Sequence, residues 1–141
     1  DCLTDNRSRT VAEIRHAFTK NKGNLGTEGS VAYLFDHCCQ FFLNESKEKE
    51  EDLLELLIDK GVSEVVPLQD KGIELIGDAD AYAEIKESLL INGYNIEFAE
   101  VIMLAKSEIT VSDDDSLKIR KLKNALESLD DVQNVFTNAE I

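Results

Sequence analysis

The chain has 141 residues, 43% hydrophobic and 31% charged, with a formal net charge of −14 and a single proline. That aliphatic content excludes a disordered chain, and no apolar run approaches the roughly 18 residues that a membrane-spanning helix needs. The length suits one ordinary domain or two small ones of about 70 residues, which would sit near the lower limit for a self-sufficient core.

The chain begins at Asp1 rather than a methionine, so a fragment or processed product is expected, with a domain upstream. No signal-peptide pattern is visible. Cys2 is followed by a possible short first strand over residues 2–4. The first helix is expected to carry Val11, Ile14 and Phe18 on one face, with Thr10 and Glu13 forming a capping box and Gly23 just past its end. Basic residues gather here. From Asp5 to Lys22 there are five (Arg7, Arg9, Arg15, Lys20 and Lys22) against two acids. Arg7 and Arg9 precede the predicted helix, while Arg15 and Lys22, seven apart, fall on roughly one face. Exposed arginines can bind phosphates bidentately; from charge alone, pairing with acidic residues of this chain is an equal alternative.

Gly23-Asn24-Leu25-Gly26-Thr27-Glu28-Gly29 then reads as a tight helix-to-strand connection. A phosphate-binding loop normally precedes a helix, so that amides and dipole face the anion, whereas these glycines follow one. Strands are predicted over 30–35 and 39–43. His37-Cys38-Cys39 looks like a metal cluster, but adjacent cysteines on a strand point to opposite faces and chelate poorly. Three cysteines without regular spacing do not make a disulfide framework and suit a reducing compartment.

The second helix is expected over 47–60, with Leu53, Leu54 and Leu57 inward, acids crowding its first turns where the dipole favours them, and Gly61 as its stop. Strands follow over 62–66 and 73–76, joined by the hairpin turn Gln69-Asp70-Lys71-Gly72. The third helix spans about 80–92, with Tyr82, Ile85 and Leu89 as its stripe. Strands are predicted over 96–104 and 108–111. Ser112 and Asp115 cap a fourth helix with Ile119, Leu122, Leu126 and Leu129 on its face, and 132–136 closes the chain as a strand. Asp113-Asp114-Asp115 reads as helix capping and dipole complement rather than a metal site.

The element order βαβ, βαββαβ, βαβ predicts an α+β protein of two ferredoxin-like (split βαβ) domains. Residues 38–105 would be inserted into a discontinuous domain of 1–37 plus 106–141; a tandem cut near Leu68 gives the same element counts. Residues 1–37 hold five basic and five acidic side chains, and 38–141 hold ten and twenty-four. Most of the chain would therefore repel a phosphate backbone. No catalytic elbow, phosphate loop or metalloprotease motif appears. The expectation is a non-enzymatic protein with no cofactor and no metal.

Two blocks resemble the YebC/TACO1 family of gene-expression regulators. The first comprises Thr4-Asp5-Asn6-Arg7, Arg9-Thr10-Val11-Ala12-Glu13, Arg15-His16-Ala17-Phe18 and Gly23-Asn24-Leu25-Gly26. The second is Leu129-Asp130-Asp131-Val132-Gln133-Asn134-Val135-Phe136 with Asn138-Ala139-Glu140-Ile141. The resemblance implies the second and third domains of a three-domain protein whose basic, helical N-terminal domain is missing, and it implies the inserted arrangement. It also implies a DNA-binding transcriptional regulator, a ribosome-associated translation factor, or both, in a bacterial-type cytoplasm rather than a mitochondrion. Nucleic-acid contact would fall to Arg7, Arg9, Arg15, Lys20 and Lys22 together with the missing domain. The acidic domain would meet a protein partner or solvent, and no membrane is involved. The sequence departs from the family pattern at Ser8, usually Asn, and at Lys22, commonly Gly. Asp36-His37-Cys38-Cys39 replaces a basic, glycine-containing hairpin, and Phe136-Thr137 stands for a usual Tyr-His pair. A small-molecule-binding regulatory module, or a protein-interaction scaffold, is the alternative function.

Overall fold

Alternating burial from Cys39 to Leu43 organises the middle of the chain. The computed structural model describes all of residues 1–141 and divides into two compact units, Asp1–Phe35 with Ala105–Ile141 and Asp36–Leu104. In the second unit, strand β1 (Phe35–Leu43) buries Cys39, Phe41 and Leu43 on one side. Strands β2 (Val62–Pro67), β3 (Ile73–Asp78) and β4 (Ile96–Ala105) complete a four-stranded sheet in the order β2-β3-β1-β4. The pairings of β1 and of β2 with β3 are both antiparallel, with Phe41 opposite Leu75 and Val65 also opposite Leu75.

Two helices lie between these strands in the sequence. Helix α2 (Glu50–Leu57) is flanked by single 3-10 turns at Lys47–Lys49 and Ile58–Lys60. Helix α3 (Tyr82–Ile91) follows a 3-10 turn at Ala79–Ala81. Leu53 and Leu57 from α2 and Ile85 and Leu89 from α3 are fully buried against Phe41, Leu43, Ile73 and Leu75. Each such side chain contributes about 1.5–3 kcal/mol of burial free energy. Tyr82 stacks on Phe41 with ring centroids 5.3 Å apart. The strand order around two helices is that of a split βαβ unit.

The predicted hairpin forms. Leu68 N–H donates to the Gly72 carbonyl at 2.9 Å. Gly72 has φ +111, and a Cβ there would come within 2.8 Å of the Leu43 carbonyl oxygen, so no other residue fits without displacing backbone.

The first unit is built on helices α1 (Arg7–Lys20) and α4 (Asp113–Glu127), which pack on each other. Its ladders are short. Strands β5 (Ile109–Thr110) and β6 (Ala139–Glu140) pair in parallel, and Cys2 bridges Val132. The mixed α+β class holds, with the split βαβ sheet laid out in full by the second unit.

Several local expectations are corrected. Helix α1 starts at Arg7, a turn earlier than Thr10 would allow, because Asn6 caps it: its side chain accepts from Arg9 N–H at 3.1 Å. Thr10 lies inside the helix and is buried, so it forms no capping box with Glu13. Residues 30–34 are not a strand. Ala32 N–H and Leu34 N–H bond back to the Gly29 and Val31 carbonyls, making a 3-10 turn, Ala32–Leu34. The strand expected from Cys39 begins at Phe35 instead, so Asp36-His37-Cys38-Cys39, which stands where the family pattern has a hairpin, belongs to the strand. Without a glycine there is nothing to turn it, and Cys38 pairs opposite Asp78.

At the chain end, Gln133 and Asn134 amides both bond to the Asp1 carbonyl, at 2.8 and 3.3 Å, leaving 132–136 without a ladder beyond the Cys2 bridge. Leu54 faces outward, 42% exposed, because α2 spans only two turns and Leu53 and Leu57 take its inner side. The Ser112 cap forms as expected, accepting from Asp115 N–H at 3.2 Å. The Asp115 carboxylate, however, turns to Lys118 Nζ, 3.5 Å away.

Candidate nucleic-acid interface

Helix α1 carries the predicted cations, and its geometry separates them. At about 100° per residue, Arg9 and Lys20 lie about 20° apart, and Arg7 and Arg15 about 80°, while Arg9 and Arg15 diverge by about 120°. The first turn holds no acid, so Arg7 and Arg9 stand at the positive end of the helix dipole, where cations are disfavoured.

Arg9 is offset by its neighbours. Its Nη2 donates to Asp5 Oδ1 and to Asp131 Oδ2, both at 3.0 Å. Asp131 is 16% exposed at its side chain and sits in a hydroxyl pair. Thr10 Oγ1 lies 2.7 Å from Asp131 Oδ2 and 2.7 Å from Thr4 Oγ1, with Thr4 Oγ1 3.3 Å from Asp131 Oδ2. Donation by Thr10, then by Arg9, holds the Asp131 carboxyl below the usual carboxylate range. The hydrogen bonds to Asp131 and then Asp5 raise the Arg9 guanidinium in turn.

A cleft of about 460 Å³ adjoins this network, lined by Arg9, Glu13, Ser128, Leu129, Asp130 and Asp131. Three carboxylates against one guanidinium make it a poor place for phosphate. Arg9 is therefore chiefly a clamp between the start of α1 and the loop after α4.

Arg7, Arg15, Lys20 and Lys22 are exposed and carry no side-chain ion pair. Lys22 is not on the helix. It occupies the left-handed position after the Asn21 cap, with φ +63, the only non-glycine residue there. Lys22 N–H bonds to the Thr19 carbonyl at 3.1 Å and Gly23 N–H to the Phe18 carbonyl at 2.7 Å, a complete Schellman closure. So Arg15 and Lys22 do not share a helical face.

That closure brings Gly23 against α4: a Cβ on Gly23 would stand 3.9 Å from Leu122 Cδ2. Lys121 and Lys123 flank Leu122. Lys123 pairs with Glu127 at 3.9 Å, while Lys121 is exposed and unpaired. Lys121 lies on α4, which packs against α1, and so adds an exposed cation to the unit that holds Lys20 and Lys22. The signal was present in the sequence: residues 118–123 hold four basic side chains in six positions. It was masked by the acids at 113–115.

Charge is divided unevenly. The unit Asp36–Leu104 holds seventeen acidic and five basic residues, net −12, and the other unit holds twelve and ten, net −2. Cys38 and Cys39 are buried, and burial pushes both thiols up, so neither is poised as a thiolate. No helix is long and apolar enough to cross a membrane.

Helices α1 and α4, bearing most of the cations, and a separate acidic sheet unit define a two-unit α+β protein with strongly segregated charge. Residues 1–139 match the family model for the TACO1/YebC second and third domain, and the chain belongs to that family. It is 49% identical over its whole length to a probable transcriptional regulatory protein of Herminiimonas arsenicoxydans and 48% identical to one of Cupriavidus necator. It spans 58% of the length of each of these relatives. A crystal structure of a conserved hypothetical protein from Aquifex aeolicus superimposes with a TM-score of 0.76 at 38% identity. The match covers 99% of this chain and 57% of that one.

Proposed function

We propose that this chain is the nucleic-acid-contacting part of a non-enzymatic regulator of gene expression that acts in the cytoplasm. The observation that carries this reading is the segregation of charge: the exposed, unpaired Arg7, Arg15, Lys20, Lys22 and Lys121 belong to a unit of net −2, and the other unit is net −12. A phosphate backbone is drawn to these exposed cations and repelled by the net −12 unit. Arg9 supports the surface indirectly, by fixing the first turn of α1. The acidic unit, an inserted domain in this reading, meets protein.

The relatives' name, transcriptional regulatory protein, favours DNA as the target; ribosomal RNA is the other phosphate polymer that the same cations would bind. Binding of the intact protein to promoter DNA, alongside cosedimentation with ribosomes, tests the reading. Saturable, salt-sensitive binding to either is expected. Binding to neither overturns it.

A further inference from the structure

The two edges of the four-stranded sheet are finished differently. Strand β2 has a register shift between Val62 and Glu64 and ends in Pro67, both features that discourage pairing with another chain. Strand β4 has neither a proline nor a basic residue in its ten positions, Ile96–Ala105. It is hydrogen-bonded to β1 on one side only, since it ends the strand order. Its outer row of amides and carbonyls is a template for one more strand.

The side chains of β4 say what that strand would carry. Phe98 is 49% exposed, and Val101 and Leu104 are also exposed. Phe98 stands 6.2 Å from Phe42, centroid to centroid. Phe42 points away from the buried Phe41, so this aromatic pair lies on the sheet face away from α2 and α3. The only charged residues in β4 are Glu97 and Glu100, within a unit of net −12. A second copy would set like charges together, whereas a cationic segment would be attracted.

We infer that the open edge of β4 takes an extended peptide segment of a partner protein by strand addition. Side chains alternate along β4, so Phe98, Glu100 and Leu104 share one face and Glu97 and Val101 the other. Lysine or arginine on one face of the segment meets Glu97, and apolar residues on its other face pack on Phe98 and Leu104. This rests on the reading that the acidic unit meets protein, and gives that contact a place and a chemistry.

The test uses the full-length protein and a short labelled peptide alternating lysine with valine, read by fluorescence anisotropy. Two companion peptides carry N-methyl groups on alternate amides or glutamate in place of lysine. Strand addition predicts saturable binding that N-methylation weakens at least about tenfold, because the ladder hydrogen bonds can no longer form. The glutamate peptide should not bind, and the double variant E97K/E100K should weaken the lysine peptide without altering the circular dichroism spectrum.

Equal binding of the N-methylated peptide, with weakened binding in E97K/E100K, overturns strand addition but leaves a protein-binding acidic unit standing. Unchanged binding to E97K/E100K overturns the cationic partner. No binding of the lysine peptide overturns both the edge site and the protein-binding reading of this unit.

Discussion

Thr10 shows how one hydroxyl can change the meaning of a motif. Its spacing from Glu13 is that of a capping box, yet Asn6 takes the cap and leaves Thr10 buried beside Asp131, 2.7 Å away. Thr10→Val should destabilise the protein by about 1.5–3 kcal/mol, the range for a hydrogen bond to a charged group, measured by urea unfolding. The Asp131 carboxyl is held below its ordinary value in the folded state. Its contribution is therefore complete above the unfolded carboxylate pKa and is lost as pH falls through the folded one. Thermal unfolding followed from about pH 5 downward should show a steeper decline in the parent than in Asp131→Asn. Equal slopes would mean that Asp131 is not held this way. The link was hidden in the sequence because 121 residues separate the partners. Both lie within blocks that carry the family resemblance, but nothing local to either points to the other.

Elements were legible where their signals were local. The hairpin at Gly72, the acids at the start of α2 and the Ser112 cap all form as their residues suggest, since each depends on a few adjacent positions. The strands expected at 30–35 and 132–136 were not, because their amides find nearer acceptors in a 3-10 turn and at the Asp1 carbonyl. Leu54 was misplaced for a related reason: in a helix of eight residues, one inner row suffices. Leu57→Ala should cost about 2–5 kcal/mol as a core truncation, against less than about 1 kcal/mol for Leu54→Ala. Comparable costs at both would contradict the described face of α2. At the end of α1, Lys22 holds a left-handed conformation that favours glycine. Lys22→Gly should raise stability by about 1 kcal/mol while removing one cation from the proposed surface. A variant more stable but weaker in nucleic-acid binding would separate the two roles of this position.

At the scale of the molecule, charge and packing divide along the same line. The unit Asp36–Leu104 has its own core, centred on Phe41, Leu53, Leu57, Ile85 and Leu89. Expressed alone, residues 36–104 should unfold cooperatively in urea; a gradual, non-cooperative decline in signal would contradict an inserted domain. The net −12 of this unit was visible in composition, but the patch opposing it was not. Charge along the sequence singles out residues 7–22. Only the fold packs α4, which carries Lys121, against α1, and only the fold turns Arg9 into a clamp. The salt dependence of nucleic-acid binding by the intact protein tests the central claim most directly. The triple variant K20E/K22E/K121E should flatten the log–log slope by about 0.9 for each duplex-DNA phosphate that it no longer neutralises. A slope unchanged from that of the parent protein would contradict it.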